Sequence, residues 1–138
     1  MAVPVPKRDP GELDVNTMAR FLCVYTLRIT ANPKTFPVEQ QSFTELLRKA
    51  ALTIHTLCWR ANNIKVNGNP SRYRDRLEAQ DRAADLCNDF YAMIEVAKPL
   101  FHLSTRRVVY WQKQVVAVRN KIRAWHDSDA KRLRPAGL

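Results

Sequence analysis

His55 and Cys58 stand three residues apart, a spacing that puts two metal ligands on one side of a helix. Two ligands do not complete a site, and Cys58 also falls on an apolar helical stripe, so the pair reads as core or core boundary. The Glu-x-x-His pairs that build carboxylate-bridged dimetal bundles do not occur in the chain. It also lacks a glycine-rich phosphate loop, a nucleophile elbow and a zinc-protease motif. Cys23, Cys58 and Cys87 are odd in number and widely spaced, which is no disulfide framework. Buried free thiols in a reducing compartment are the expectation. No catalytic residue, metal ligand or cofactor is therefore expected, and the chain reads as non-enzymatic.

The positive charges carry the stronger chemical signal. Twenty-three Lys and Arg face thirteen Asp and Glu, a formal net charge of +10. That excess favours a polyanionic partner, nucleic acid before an acidic protein or an anionic membrane surface. From Ser104 onward nine cations (Arg106, Arg107, Lys113, Arg119, Lys121, Arg123, Lys131, Arg132 and Arg134) meet only two acids, Asp127 and Asp129. At 100° per residue Arg106, Lys113 and Lys121 lie opposite the apolar stripe of that segment, with Arg119 and Arg123 flanking it. A second group, Arg72, Arg74 and Arg76, opens the preceding helix just after Lys65. Cations at a helix N-terminus oppose its dipole, so a partner anion is expected there. With no base-reading module, such contacts would go mostly to phosphates. Trp59, Trp111 and Trp125 are candidates for stacking on bases. Trp111 and Trp125 lie on an apolar face and are expected in the core, whereas Trp59 beside its stripe suits a base or a subunit contact.

These residues must be positioned by helices. Val15, Met18, Leu22, Tyr25 and Ile29 recur at steps of three and four, predicting a first helix from about Asp14 to Ala31 that Asn32-Pro33 ends. A second starts near Val38 and carries Phe43, Leu47, Ala50, Ile54, Leu57, Ala61 and Ile64, with Leu46, Ala51 and Cys58 widening the face. The turn Lys65–Pro70 follows, with Asn69 as cap and Pro70 in the first helical position. The third helix presents Tyr73, Leu77, Ala84, Cys87, Tyr91 and Ile94, flanked by Ala83, Leu86, Phe90, Met93 and Ala97, and closes at Pro99. Ser104 caps a fourth, which buries Val108, Trp111, Val115, Val118, Ile122 and Trp125.

Length and composition agree. The chain has 138 residues, 46% of them hydrophobic and only three glycines, which suits one all-α domain. Short links between amphipathic segments predict an up-down-up-down antiparallel four-helix bundle over 13–127, with a flexible arm at 1–12 and a loose basic tail at 128–138. No apolar run approaches the length of a membrane span, and the first residues lack the apolar core of a signal peptide. A cytoplasmic location without membrane contact is the expectation.

A resemblance sharpens this reading. The Phe36-Pro37 turn with Glu39 and Phe43 after it, Ala61-Asn62, Leu103-Ser104 with Trp111 further in, and the closing Ile122-x-x-Trp125 resemble one family of small four-helix bundle proteins. The family includes proteins encoded within ribosomal RNA intervening sequences and the accessory variability determinant (Avd) of diversity-generating retroelements. The late tryptophan and the basicity look closer to the Avd branch. The resemblance spans about residues 14 to 127; the proline-rich arm and basic tail are additions, and Arg123-Ala124 replaces the small residues that often precede the last tryptophan. It implies a homopentameric barrel of bundles that binds a reverse transcriptase and its structured template RNA, or an RNA–DNA hybrid. That assembly supports mutagenic cDNA synthesis without chemistry of its own. The alternative is a bundle protein of a 23S ribosomal RNA intervening sequence, or an adaptor that docks a protein with no reverse-transcriptase partner.

Overall fold

Prolines and capping side chains divide the chain into helices. The computed structural model describes the backbone of residues 10–138 and the side chains of residues 15–138. It contains α1 (Pro10–Ile29), a 3-10 turn (Val38–Gln40), α2 (Gln41–Asn63), α3 (Pro70–Leu100) and α4 (Thr105–Arg132), and no strand among the described residues. Most of the expected arm lies outside the described residues; from Pro10 the backbone is already helical.

Each boundary has a local cause. The Asn69 side chain accepts from the backbone N–H groups of Ser71 and Arg72 at 2.9 and 3.1 Å, with Pro70 beginning α3. Ser104 accepts from Arg107 N–H at 3.1 Å and starts α4. Caps of this kind contribute about 1 kcal/mol each. Between α2 and α3, Asn67 and Gly68 both hold positive φ (47° and 74°) inside the turn closed by Asn69 N–H on the Val66 carbonyl. Asn and Gly are the residues that tolerate this conformation at least cost. At the end of α3 the Leu103 N–H reaches back to the Lys98 carbonyl, and His102 takes the left-handed position usually given to glycine (φ 54°).

The helices run antiparallel. Arg48 of α2 reaches the Leu27 carbonyl near the end of α1, and Arg76 of α3 reaches the Ala61 and Ile64 carbonyls at the end of α2. Along α3 and α4 the pairs Gln112 with Tyr91, Arg119 with Asn88, and Asp129 with Arg76 descend one helix while climbing the other. Helix α4 also packs on α1, closing a four-helix bundle. The core is one cluster, with Trp111, Trp125, Phe90, Leu22, Leu47, Ile54, Ile94 and Ile122 fully buried. Phe36, Phe43 and Phe101 pack together at the end where the α1–α2 link meets the α3–α4 link.

Three expectations are corrected. Leu46 is 54% exposed and Tyr91 37% exposed, so neither lies within the core stripe. Both sit at the edge of an apolar arc, where a one-dimensional pattern does not say how far the neighbouring helix reaches. The third is the loose tail from residue 128: α4 continues through Arg132, with Asp129 fully buried and Pro135 buried behind it. The apolar pattern fades after His126 because the contact that holds this turn is polar.

Candidate nucleic-acid interface

The fold collects six of the thirteen expected cations at one end of the bundle. Lys65 follows the end of α2, Arg72 and Arg74 lie in the first turns of α3, and Lys131, Arg132 and Arg134 lie at the close of α4; all are exposed. Antiparallel packing makes these three segments neighbours. Arg72 donates to the Lys65 carbonyl at 3.3 Å, and the Tyr73 hydroxyl donates to the Ala130 carbonyl, tying the start of α3 to the end of α4. Beside that bond lies an open hollow of about 630 Å³ lined by Tyr73, Asp127, Ala130, Lys131 and Arg134.

The end holds together through a buried polar network. Asp129, fully buried, accepts from Arg76 Nε and Gln80 Nε2 at 2.7 Å each on one oxygen, and from Arg132 at 3.0 Å on the other. The Arg76 guanidinium also donates to the Ala61 and Ile64 carbonyls and lies 5.4 Å from the Trp125 ring centroid. Arg76 is thus no part of an exposed phosphate-facing set: at 5% exposure it is an internal strut between α2, α3 and α4. The sequence hides this, because a buried Arg–Asp pair separated by 53 residues carries no periodic signal. Arg132 keeps a half-exposed guanidinium but spends one N–H on Asp129.

The other expected residues are spread along α4. Arg106 and the partly buried Arg107 lie at its start, twenty-five residues or about 38 Å from Lys131 along the axis. Lys113 and Arg123 are exposed, and Lys121 is partly buried. Arg119 donates to Asn88 at 3.0 Å and to Asn120 at 3.2 Å, which fixes its guanidinium at the α3–α4 seam. The thirteen residues therefore form a basic end and a broken stripe. Sequence reasoning passed over exposed Arg60, in the last turn of α2 beside Lys65. A legible signal pointed there: residues 46–74 contain no Asp or Glu and six cations.

Burial mutes the chemistry of the cysteines and of His55. Burial pushes the Cys58 and Cys87 thiols up to about 12, with Cys58 adding to the rise at Cys87. Burial likewise raises Cys23, opposed by Arg48, while burial and then Arg20 lower His55. Among the described residues no group of three or more His, Cys, Asp and Glu is arranged to hold a metal ion. At pH 8 a thiol with a value near 12 is ionised to about one part in ten thousand. A chromogenic disulfide reagent is therefore expected to find no fast-reacting Cys58 or Cys87 in the native protein and all three cysteines in denaturant. Rapid modification of either without unfolding would contradict this packing.

Among the described residues no helix is long and apolar enough to cross a membrane. No protein-family model, curated protein or solved structure matches the chain.

Proposed function

We propose that this chain is a non-catalytic nucleic-acid-binding accessory protein of a diversity-generating retroelement. In that role it binds the reverse transcriptase and its structured template RNA as a homopentamer. The observation that carries the nucleic-acid part is the basic end, where Lys65, Arg72, Arg74, Lys131, Arg132 and Arg134 converge. Their guanidinium and ammonium groups sit on helix ends and turns, suited to phosphate oxygens and carrying no base code. The retroelement part rests on the resemblance. Its residues build the bundle: Phe36, Ala61, Leu103, Trp111, Ile122 and Trp125 are buried, and Ser104 is a cap. A ring of such subunits would turn weak phosphate contacts into avid binding.

The test is the salt dependence of binding to a structured RNA by the full chain. Charge reversal at Lys65, Arg72 and Arg74 together is expected to make the slope of log K against log salt shallower by about 2 to 3. Reversal at Arg119 and Arg123 is expected to act in the same direction, but less, since Arg119 is already bonded to Asn88 and Asn120. Unchanged affinity and slope in the first variant would remove the basic end from the reading, and in the second the stripe along α4. A mass near five chains in solution, and a neighbouring reverse-transcriptase gene with template and variable repeats, would support the retroelement role. An insertion within a 23S ribosomal RNA gene would point to the intervening-sequence alternative.

A further inference from the structure

The fold treats its three tryptophans in two ways. Trp111 and Trp125 are buried at 0% and 1%, whereas Trp59, in the penultimate turn of α2, is 59% exposed. Its setting is unusual for an apolar ring. It lies inside the acid-free stretch 46–74, next to exposed Arg60 and one turn before exposed Asn63. One turn earlier on α2, burial and then the charge of Arg20 on α1 hold His55 below its ordinary value. From Trp59 to the end of α2 at Asn63 is four residues, about 6 Å of axis, which places it about one helical turn from the basic end. A large exposed π-face on a segment that carries cations and no acid is the pairing that unpaired strands use, because every base has a face to stack while the backbone follows positive charge. A duplex hides its base faces in the stack and offers phosphates and groove edges, with no face for the indole to cover.

We propose that Trp59 is a stacking platform that makes this surface a site for single-stranded nucleic acid, with the backbone led across Arg60, Lys65 and Arg72. This rests on the nucleic-acid reading above and narrows its ligand to unpaired segments. Leu52, seven residues earlier on α2, is also exposed (49%), and a contact between subunits would use both side chains. The two uses separate experimentally.

The buried pair leaves Trp59 as the tryptophan whose emission responds to solvent and ligand. Titrating the full-length protein with oligothymidylate at low salt is expected to quench that emission, while a duplex of the same length binds without quenching. Trp59→Ala is expected to lower single-strand affinity about tenfold and leave duplex affinity in place, with Trp59→Phe keeping most of the binding. Because the ring is exposed, both variants should melt like the parent. Binding of the single strand with unchanged emission, and equal affinity in Trp59→Ala, would overturn the stacking role while leaving the nucleic-acid reading intact. Absence of binding to either strand form would overturn both. A fall in solution mass in Trp59→Ala and Leu52→Ala, with affinity preserved, would assign Trp59 to a subunit contact and overturn the stacking role.

Discussion

Asp129→Ala is expected to destabilise the bundle by about 3–5 kcal/mol, the usual cost of breaking a buried ion pair by removing one member. The carboxylate is fully buried and neutralises Arg76, itself 5% exposed, across a 2.7 Å contact. Removing it takes a carboxylate acceptor from Arg76, at the ends of α2, α3 and α4, and from Gln80. For a chain of this size each kcal/mol moves the melting temperature by roughly 2–8 °C, so a drop on the order of 15 °C is expected in a circular-dichroism melt. The paired change Arg76→Met with Asp129→Leu should recover much of the loss, because the pair's own desolvation is also removed. A functional consequence follows. The same carboxylate holds the last turn of α4, so on the proposed nucleic-acid role Asp129→Ala should weaken RNA binding without touching Lys131 or Arg134 directly. If Asp129→Ala melts within about 1 kcal/mol of the parent, the network is not what holds this end.

That network marks the boundary of what the sequence discloses. The helices were legible because their signals are local. Asn69-Pro70 and Ser104 announce starts, and the 3.6-residue recurrence from Leu47 to Ala61 and from Val108 to Trp125 announces buried faces that the structure contains. Trp111 and Trp125 were placed in the core on the same ground. Three-dimensional facts were not local. Leu46 and Tyr91 depend on how far a neighbouring helix extends, and Arg76 looks from its position like one more cation of an Arg-x-Arg-x-Arg run. Its partner is a residue assigned to a loose tail. The basic end shows the same limit. Lys131 is remote from Lys65 and Arg72 along the chain and becomes their neighbour only through antiparallel packing. Counting charges pointed to a polyanion; it did not show which charges share a surface.

Trp111 is where the second large effect is expected. Its ring is fully buried, edge-on to Phe90 at 5.8 Å and to Tyr25 at 6.4 Å, and its indole N–H donates to the Thr26 hydroxyl at 3.0 Å. One side chain thus joins α4 to α3 by packing and to α1 by a buried hydrogen bond. Trp111→Ala should cost about 3–5 kcal/mol, the usual range for emptying an aromatic site that the surroundings cannot refill. The hydrogen bond can be weighed separately. Thr26→Val keeps the shape and strips the acceptor, leaving a buried indole N–H alone at a cost of about 1–3 kcal/mol. Trp111→Phe removes the donor and some volume. Combined with Thr26→Val it should cost less than the two single changes added, by about 1 kcal/mol, because neither partner is then left waiting for the other. Strict additivity in urea melts would mean that the bond contributes nothing to closing α1 onto α4. Ring packing alone would then hold the bundle at this level.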